Sequence, residues 1–140
     1  MKPLVVDASF AGAWILPDEH SAEADRVLEA ALDRDLELAL PDLWIYEMEN
    51  LLLAAHRRNR ITKAQVFEAH QLLEALPCRF YSHQGALACD RTAALALRFD
   101  LSGYDAAYLE LADRLQCQLM TLDNRLLEAA RSLGLARRSL

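Results

Sequence analysis

Leu4-Val5-Val6-Asp7-Ala8-Ser9 joins three apolar residues to an acid, a small residue and a hydroxyl. A short apolar run without polar alternation marks a strand buried on both faces, and its abrupt end delivers Asp7 and Ser9 into a loop. Leu36 to Leu40, Arg79-Phe80-Tyr81 and Gln118-Leu119-Met120-Thr121 read as further strands, the last running on to Asp123. Leu135 to Leu140 can add a short edge strand.

The intervening segments have helical period. Ala11 to Leu16 predicts a short helix closed by Pro17, and the polar turn Asp18-Glu19-His20 precedes a helix from Ser21 to Leu32. Pro41-Asp42 opens a long apolar helix from Leu43 to Arg58. Thr62 with Gln65 forms a capping box ahead of Val66, Ala69, Leu72, Leu73 and Leu76. Gly85 to Phe99, Tyr104 to Leu115 and Asn124 to Leu133 are the remaining helices, with Asp100-Leu101-Ser102-Gly103 as a break and Gly134 as a stop. Strands alternating with helices predict an α/β domain, a parallel sheet covered on both faces. At 140 residues the chain fits one domain, 1–140, since ~100–200 residues per domain is usual.

Hydrophobic residues make up 54% and charged residues 26%, with four Gly and four Pro, which excludes a disordered chain. No apolar run approaches the ~20 residues needed to cross a bilayer. Cys78, Cys89 and Cys117 lack CxxC spacing, and no leader of secretory type is present. They read as buried thiols of a soluble, cytoplasmic protein without membrane contact. A net charge of −6 is the wrong sign for binding nucleic acid over the whole surface, so any such contact must be local.

Four acids stand out by position. Asp7 and Asp123 follow strands and Asp105 opens a helix, which is where open α/β sheets build ligand sites. Glu47 shares a helix face with Leu43, Trp44, Leu51 and Ala54, a face expected to be buried, so its carboxylate needs a partner. Asn50, three residues on, can orient a carboxylate or a water on a metal. Glu49 is the competing glutamate, without such a neighbour. Singly, each acid has an ordinary role: Asp7 and Asp123 as helix caps, Asp105 in a capping box with Ser102, Glu47 as partner of a buried polar group. Together they are harder to explain, because two carboxylates ~4 Å apart repel by roughly 4 kcal/mol at an effective dielectric of 20. Hard oxygen ligands suit Mg2+ or Mn2+. Zinc does not fit, since His20, His56, His70 and His83 show no ligand spacing with the cysteines.

These residues resemble a known family. Val5-Val6-Asp7-Ala8-Ser9, the stretch from Pro41 to Leu52, Leu101-Ser102-Gly103-Tyr104-Asp105-Ala106-Ala107-Tyr108 and Thr121-Leu122-Asp123 occur in the order found in PIN-domain nucleases, most closely the VapC-type toxin ribonucleases of bacterial VapBC toxin–antitoxin pairs. Glu49 departs from the pattern, standing where the family usually has a small residue. The resemblance implies a three-layer sandwich with a parallel four- or five-stranded sheet flanked by helices. It implies that Asp7, Glu47, Asp105 and Asp123 hold Mg2+ or Mn2+, supported by Ser9, Asn50 and Thr121. The implied activity is metal-dependent hydrolysis of RNA by an activated water, and the implied partners are a VapB-like antitoxin and a second copy in a homodimer.

Arg125, close to the last acid, and Tyr104, beside Asp105, are the expected RNA contacts. His56-Arg57-Arg58-Asn59-Arg60 with Lys63 reads first as a solvated, dipole-complementing helix end. Trp14, Trp44, Tyr46 and Tyr108 read as core or dimer packing rather than base-stacking platforms. A receiver-type signalling domain would show an acidic pair after its first strand and a lysine ending a late one, whereas the lysines here are Lys2 and Lys63. A phosphatase with an aspartate nucleophile would want an acid where Ser9 stands. A non-catalytic interaction module and a housekeeping PIN nuclease of RNA processing are the remaining alternatives.

Overall fold

β1 (Lys2–Val6) pairs in parallel with β2 (Leu36–Pro41) on one side and β4 (Gln118–Met120) on the other, and β3 (Cys78–Tyr81) completes the order β3-β2-β1-β4. The computed structural model describes residues 1–83 and 85–137, with backbone alone at 85–88. All pairings are parallel, with Leu4 opposite Leu38 and Gln118, and Leu38 opposite Cys78. Leu4, Val5, Val6, Leu38, Leu40 and Leu119 are buried, the outcome expected of strands covered on both faces. Burying each such side chain is worth roughly 1.5–3 kcal/mol relative to exposure.

Among the described residues seven helices flank this sheet: α1 (Ala8–Ala11), α2 (Ala22–Leu32), α3 (Leu43–Arg57), α4 (Lys63–Ala75), α5 (Gly85–Phe99), α6 (Gly103–Leu115) and α7 (Asn124–Ser132). None is long and apolar enough to cross a membrane. The first helix begins earlier than Ala11 because Asp7 caps it, accepting from the Phe10 amide at 3.0 Å. The predicted helix from Ala11 to Leu16 is instead a 3-10 turn at Gly12–Trp14, and a second such turn covers Pro17–Glu19. A side chain at Gly12 would meet Leu51 Cδ1 at 3.1 Å, so this turn lies close against α3.

Thr62 and Gln65 form both halves of the capping box that starts α4. Leu16, Leu52, Ala55, Ile61, Val66 and Ala69 form a second, smaller core beside the main one. Arg60 braces its rim, donating to Asp18 at 2.9 and 2.6 Å and to Glu19 at 3.1 Å, so this cation is already engaged within the chain. Gly134 takes a φ of +71° after α7, a left-handed turn that glycine accepts without strain.

Two expectations need correction here. The edge strand over 135–140 is reduced to one parallel bridge between Ala136 and Leu119, and 138–140 lie outside the described residues. The three cysteines are not uniformly buried: Cys117 is, Cys78 is half-buried and Cys89 is exposed.

Candidate active site

In the order β3-β2-β1-β4 the chain steps outward from β1 to β3 and then returns to the far side of β1. Open parallel sheets bind ligands at the strand C-termini where the order reverses, and here that point lies between β1 and β4. Asp7 leaves the end of β1 with its amide bonded to the Met120 carbonyl at 3.2 Å. Asp7 is only 4% exposed. Ser9 Oγ donates to Asp7 Oδ1 at 2.7 Å, and the Thr121 hydroxyl donates to Oδ2. The Leu122 amide donates to Ser9 at 3.0 Å and the Asp123 amide to Thr121 at 3.0 Å, which ties the ends of β1 and β4 into one network.

Glu47 enters from α3. The buried face of that helix is Trp44, Met48, Leu52 and Ala55, whereas Leu43, Glu47, Leu51 and Ala54 lie along its half-buried flank. The expected full burial of the Glu47 face is therefore corrected to partial burial. The Tyr108 hydroxyl, from the second turn of α6, donates to Glu47 Oε1 at 2.5 Å. Glu49 is turned to α4, where its Oε2 pairs with His70 Nε2 at 3.1 Å. Asn50 is exposed and its amide has no hydrogen-bond partner among the described residues, so it does not orient Glu47 through a hydrogen bond.

Asp105 lies in the first turn of α6, whose N-cap Ser102 accepts from the Asp105 amide at 3.1 Å. Asp123 caps α7 through the Leu126 amide at 2.9 Å and is exposed. Capping is thus a real duty of Asp7 and Asp123, discharged through one carboxylate oxygen of each.

The electrostatics link all four acids. Burial raises Asp7 above its ordinary 3.8, opposed by hydrogen bonds from Thr121, the Phe10 amide and Ser9, and the charge of Asp105 raises it further. Burial also raises Glu47; Tyr108 opposes this, while Asp105 and Asp7 add to it. Asp105 is raised by burial and then by the charge of Asp123, against a hydrogen bond from Ser102. Tyr108 is pushed far above the usual phenol range by burial and by its bond to Glu47.

No group of three or more His, Cys, Asp and Glu side chains among the described residues is arranged to hold a metal ion unaided. The convergence of Asp7, Glu47, Asp105 and Asp123 into a ligand cluster, expected from the sequence, is therefore not seen among the described residues. Hard cations such as Mg2+ or Mn2+ keep several waters and need only one or two carboxylates together with substrate phosphates, so carboxylate chemistry of this kind suits them without a full ligand cluster. A cleft of about 560 Å³ reaches Thr121 and Leu122 and is lined also by Phe10, Glu23, Leu127, Arg131 and Arg137, but not by Asp7, Glu47, Asp105 or Asp123.

Tyr104 is 67% exposed at the start of α6. Arg125 is exposed and holds the Asp100 carboxylate at 2.9 Å. Trp44 and Tyr108 are core residues and Trp14 is half-buried, whereas Tyr46 is 72% exposed, which removes the core half of its reading as core or dimer packing. Tyr108, read from the sequence as packing, also hydrogen-bonds one of the candidate acids, Glu47. The available signal was Tyr108 standing three residues after Asp105, on the same helix face.

A parallel α/β domain with linked carboxylates at its switch point is a class in itself, and residues 4–132 match the PIN domain: the chain belongs to the PIN domain family. Within it, the chain is 38% identical over 128 residues to Ribonuclease VapC3 of Pyrobaculum aerophilum, spanning 89% of this chain and 92% of that protein. The crystal structure of PAE2754 from the same organism superposes with a TM-score of 0.69 at 26% identity, over 91% of this chain and 79% of the other. Mycobacterium tuberculosis VapC20, a sarcin-ricin loop cleaving toxin, shares the fold with a TM-score of 0.60 at 14% identity, over 98% and 99% of the two chains.

The raised acids make stability depend on pH. Their folded values lie above the unfolded ones, so the native chain binds more protons and loses stability as pH rises through the folded values. Asp18, lowered by Arg60, contributes the opposite slope, confined to more acidic solution. With a chelator present, the thermal midpoint should be higher at about pH 5 than at neutrality, and Mg2+ should reduce the difference. A midpoint rising steadily to neutrality would contradict the linkage among the acids.

Proposed function

We propose that the chain, as one domain over 1–140, is an endoribonuclease dependent on Mg2+ or Mn2+ and the toxin of a type II toxin–antitoxin pair. The observation that carries this reading is the buried Asp7 carboxylate at the switch point, pinned by Ser9, Thr121 and the Phe10 amide, with Asp7, Glu47 and Asp105 all raised above their ordinary values by burial and by neighbouring acids, a burden that a divalent cation would relieve. The similarity to Ribonuclease VapC3 supports the choice of RNA as substrate. A cation held by these acids would supply Lewis-acid stabilisation of the phosphodiester and a more acidic water as nucleophile.

The chain's own residues do the rest. Asp7, pinned by Ser9, Thr121 and the Phe10 amide, would be the most rigidly held of the cation's ligands. Glu47 approaches from the α3 side. Asp105 or Asp123, less enclosed, orients the attacking water. Tyr104 offers an exposed ring to a base, and Arg125 exchanges Asp100 for a phosphate, a small loss because exposed ion pairs are worth about 0–1 kcal/mol. Ser9 and Thr121 support Asp7; Asn50 reaches the site only through water or substrate. The proposed partners are a VapB-like antitoxin that blocks the acids and a second copy in a homodimer, in the cytoplasm.

Incubating the purified protein with cellular RNA tests the reading. Internal cuts that appear with Mg2+ or Mn2+, stop with chelator and return with added metal are expected. The alternative of a non-catalytic module, in which Asp7 and Asp123 act only as caps, predicts no cuts and no calorimetric heat on metal titration; that pair of results would end the nuclease reading.

A further inference from the structure

We infer that Tyr108 is a positioning residue for Glu47: its buried hydroxyl fixes one carboxylate oxygen and leaves the other presented to a divalent cation. The inference rests on the proposed metal-binding role of the same acids.

Tyr108 is 1% exposed and packs in the main core with Leu109, Leu111 and Ala112 of the same helix. A phenylalanine would satisfy that packing without carrying a polar atom out of water, so the hydroxyl calls for an explanation of its own. Its hydrogen bond among the described residues goes to Glu47 Oε1, across 61 positions of sequence.

Glu47 is the acid that needs such help. Asp7 has both oxygens occupied, Oδ1 by Ser9 and the Phe10 amide and Oδ2 by Thr121, and its side chain is short. Glu47 has a longer side chain and is half-buried on the flank of α3. Oε2 accepts no hydrogen bond among the described residues, so Tyr108 is the anchor that holds the group. The anchor is rigid because the ring is locked by packing, and it sits on the helix that carries Asp105 in its first turn. Tyr108 thereby couples the positions of two acids on different elements, α3 and α6. Groups that hold metal ligands in this way commonly change metal affinity by about 10–100-fold when removed.

Tyr108→Phe removes the hydroxyl and keeps the ring. Calorimetric Mn2+ affinity should fall about 10-fold or more, the metal concentration for half-maximal RNA cleavage should rise in step, and the KM for RNA should stay unchanged. In a Glu47→Ala background the same substitution should have no further effect on Mn2+ affinity, since the two residues act through one contact. Unchanged affinity in Tyr108→Phe, or a loss that persists without Glu47, overturns the inference while leaving the nuclease reading intact. A wild-type chain that binds no Mn2+ removes both. Should Tyr108→Phe fail to fold, the ring resonances of Tyr108 in tyrosine-labelled wild-type protein decide: they should shift during Mg2+ titration with the calorimetric midpoint, and resonances that stay fixed overturn the inference.

Discussion

Asp7→Asn should abolish metal-dependent RNA cleavage, by more than about 100-fold, which exceeds the usual effect of altering a group behind the ligand, while the chain stays folded. The amide can reproduce the local bonds of the carboxylate. Its oxygen still accepts from the Phe10 amide and Ser9 Oγ, and its NH2 donates to Thr121 Oγ1, which rotates its own proton away. Asparagine is also as good an N-cap as aspartate, so α1 keeps its start. What disappears is a buried negative charge opposed by Asp105. Without metal, the variant should therefore melt at or above the wild-type temperature near neutral pH, an activity-for-stability exchange frequent at functional sites. Calorimetry should show weaker Mn2+ binding alongside the lost cleavage. Full cleavage by the variant, or a metal-free midpoint far below wild type, would show that Asp7 serves structure alone.

The strand ends were the most legible part of the sequence, and for a physical reason. A strand buried on both faces must be apolar throughout, so Leu4-Val5-Val6 and Leu119-Met120 announce themselves and the first polar residue beyond each is conspicuous. The faces of α3 were far less legible. Apolar residues occupy almost every side of Leu43 to Leu53, so the helical period does not single out the stripe Trp44-Met48-Leu52-Ala55 from its neighbour Leu43-Glu47-Leu51-Ala54. The choice of Glu47 over Glu49 in the structure comes from tertiary partners, Tyr108 for one and His70 for the other. Neither contact has a signature in local spacing. The short helix after β1 was displaced because Asp7 both ends the strand and caps α1, leaving no linker between them. Asn50 shows the limit of spacing arguments: three residues from Glu47 on one helix, it is exposed and makes no hydrogen bond with it among the described residues.

Phe10→Ala should produce the largest loss of stability. Phe10 is 1% exposed in the main core and meets Trp14 edge-on, with ring centroids 6.2 Å apart and planes at 86°. Truncating a buried phenylalanine costs about 3–5 kcal/mol, combining lost transfer energy with the cavity left behind. Against a total of roughly 5–15 kcal/mol for a typical domain, that is a large share. For a chain of this size the thermal midpoint should drop by roughly 10–20 °C. The site should respond differently from the fold. Phe10 contributes its amide, not its ring, to Asp7 Oδ1, and alanine keeps that amide and favours the helix. At low temperature, where the variant remains folded, its calorimetric Mn2+ affinity should thus stay within a few-fold of wild type. A drop of only a few degrees would mean that the core around α1 closes over the gap. Metal affinity lost as completely as in Asp7→Asn, in a chain shown to be folded by circular dichroism, would mean that the ring itself holds Asp7 in place, and that the division drawn between packing under α1 and hydrogen bonding above it is false.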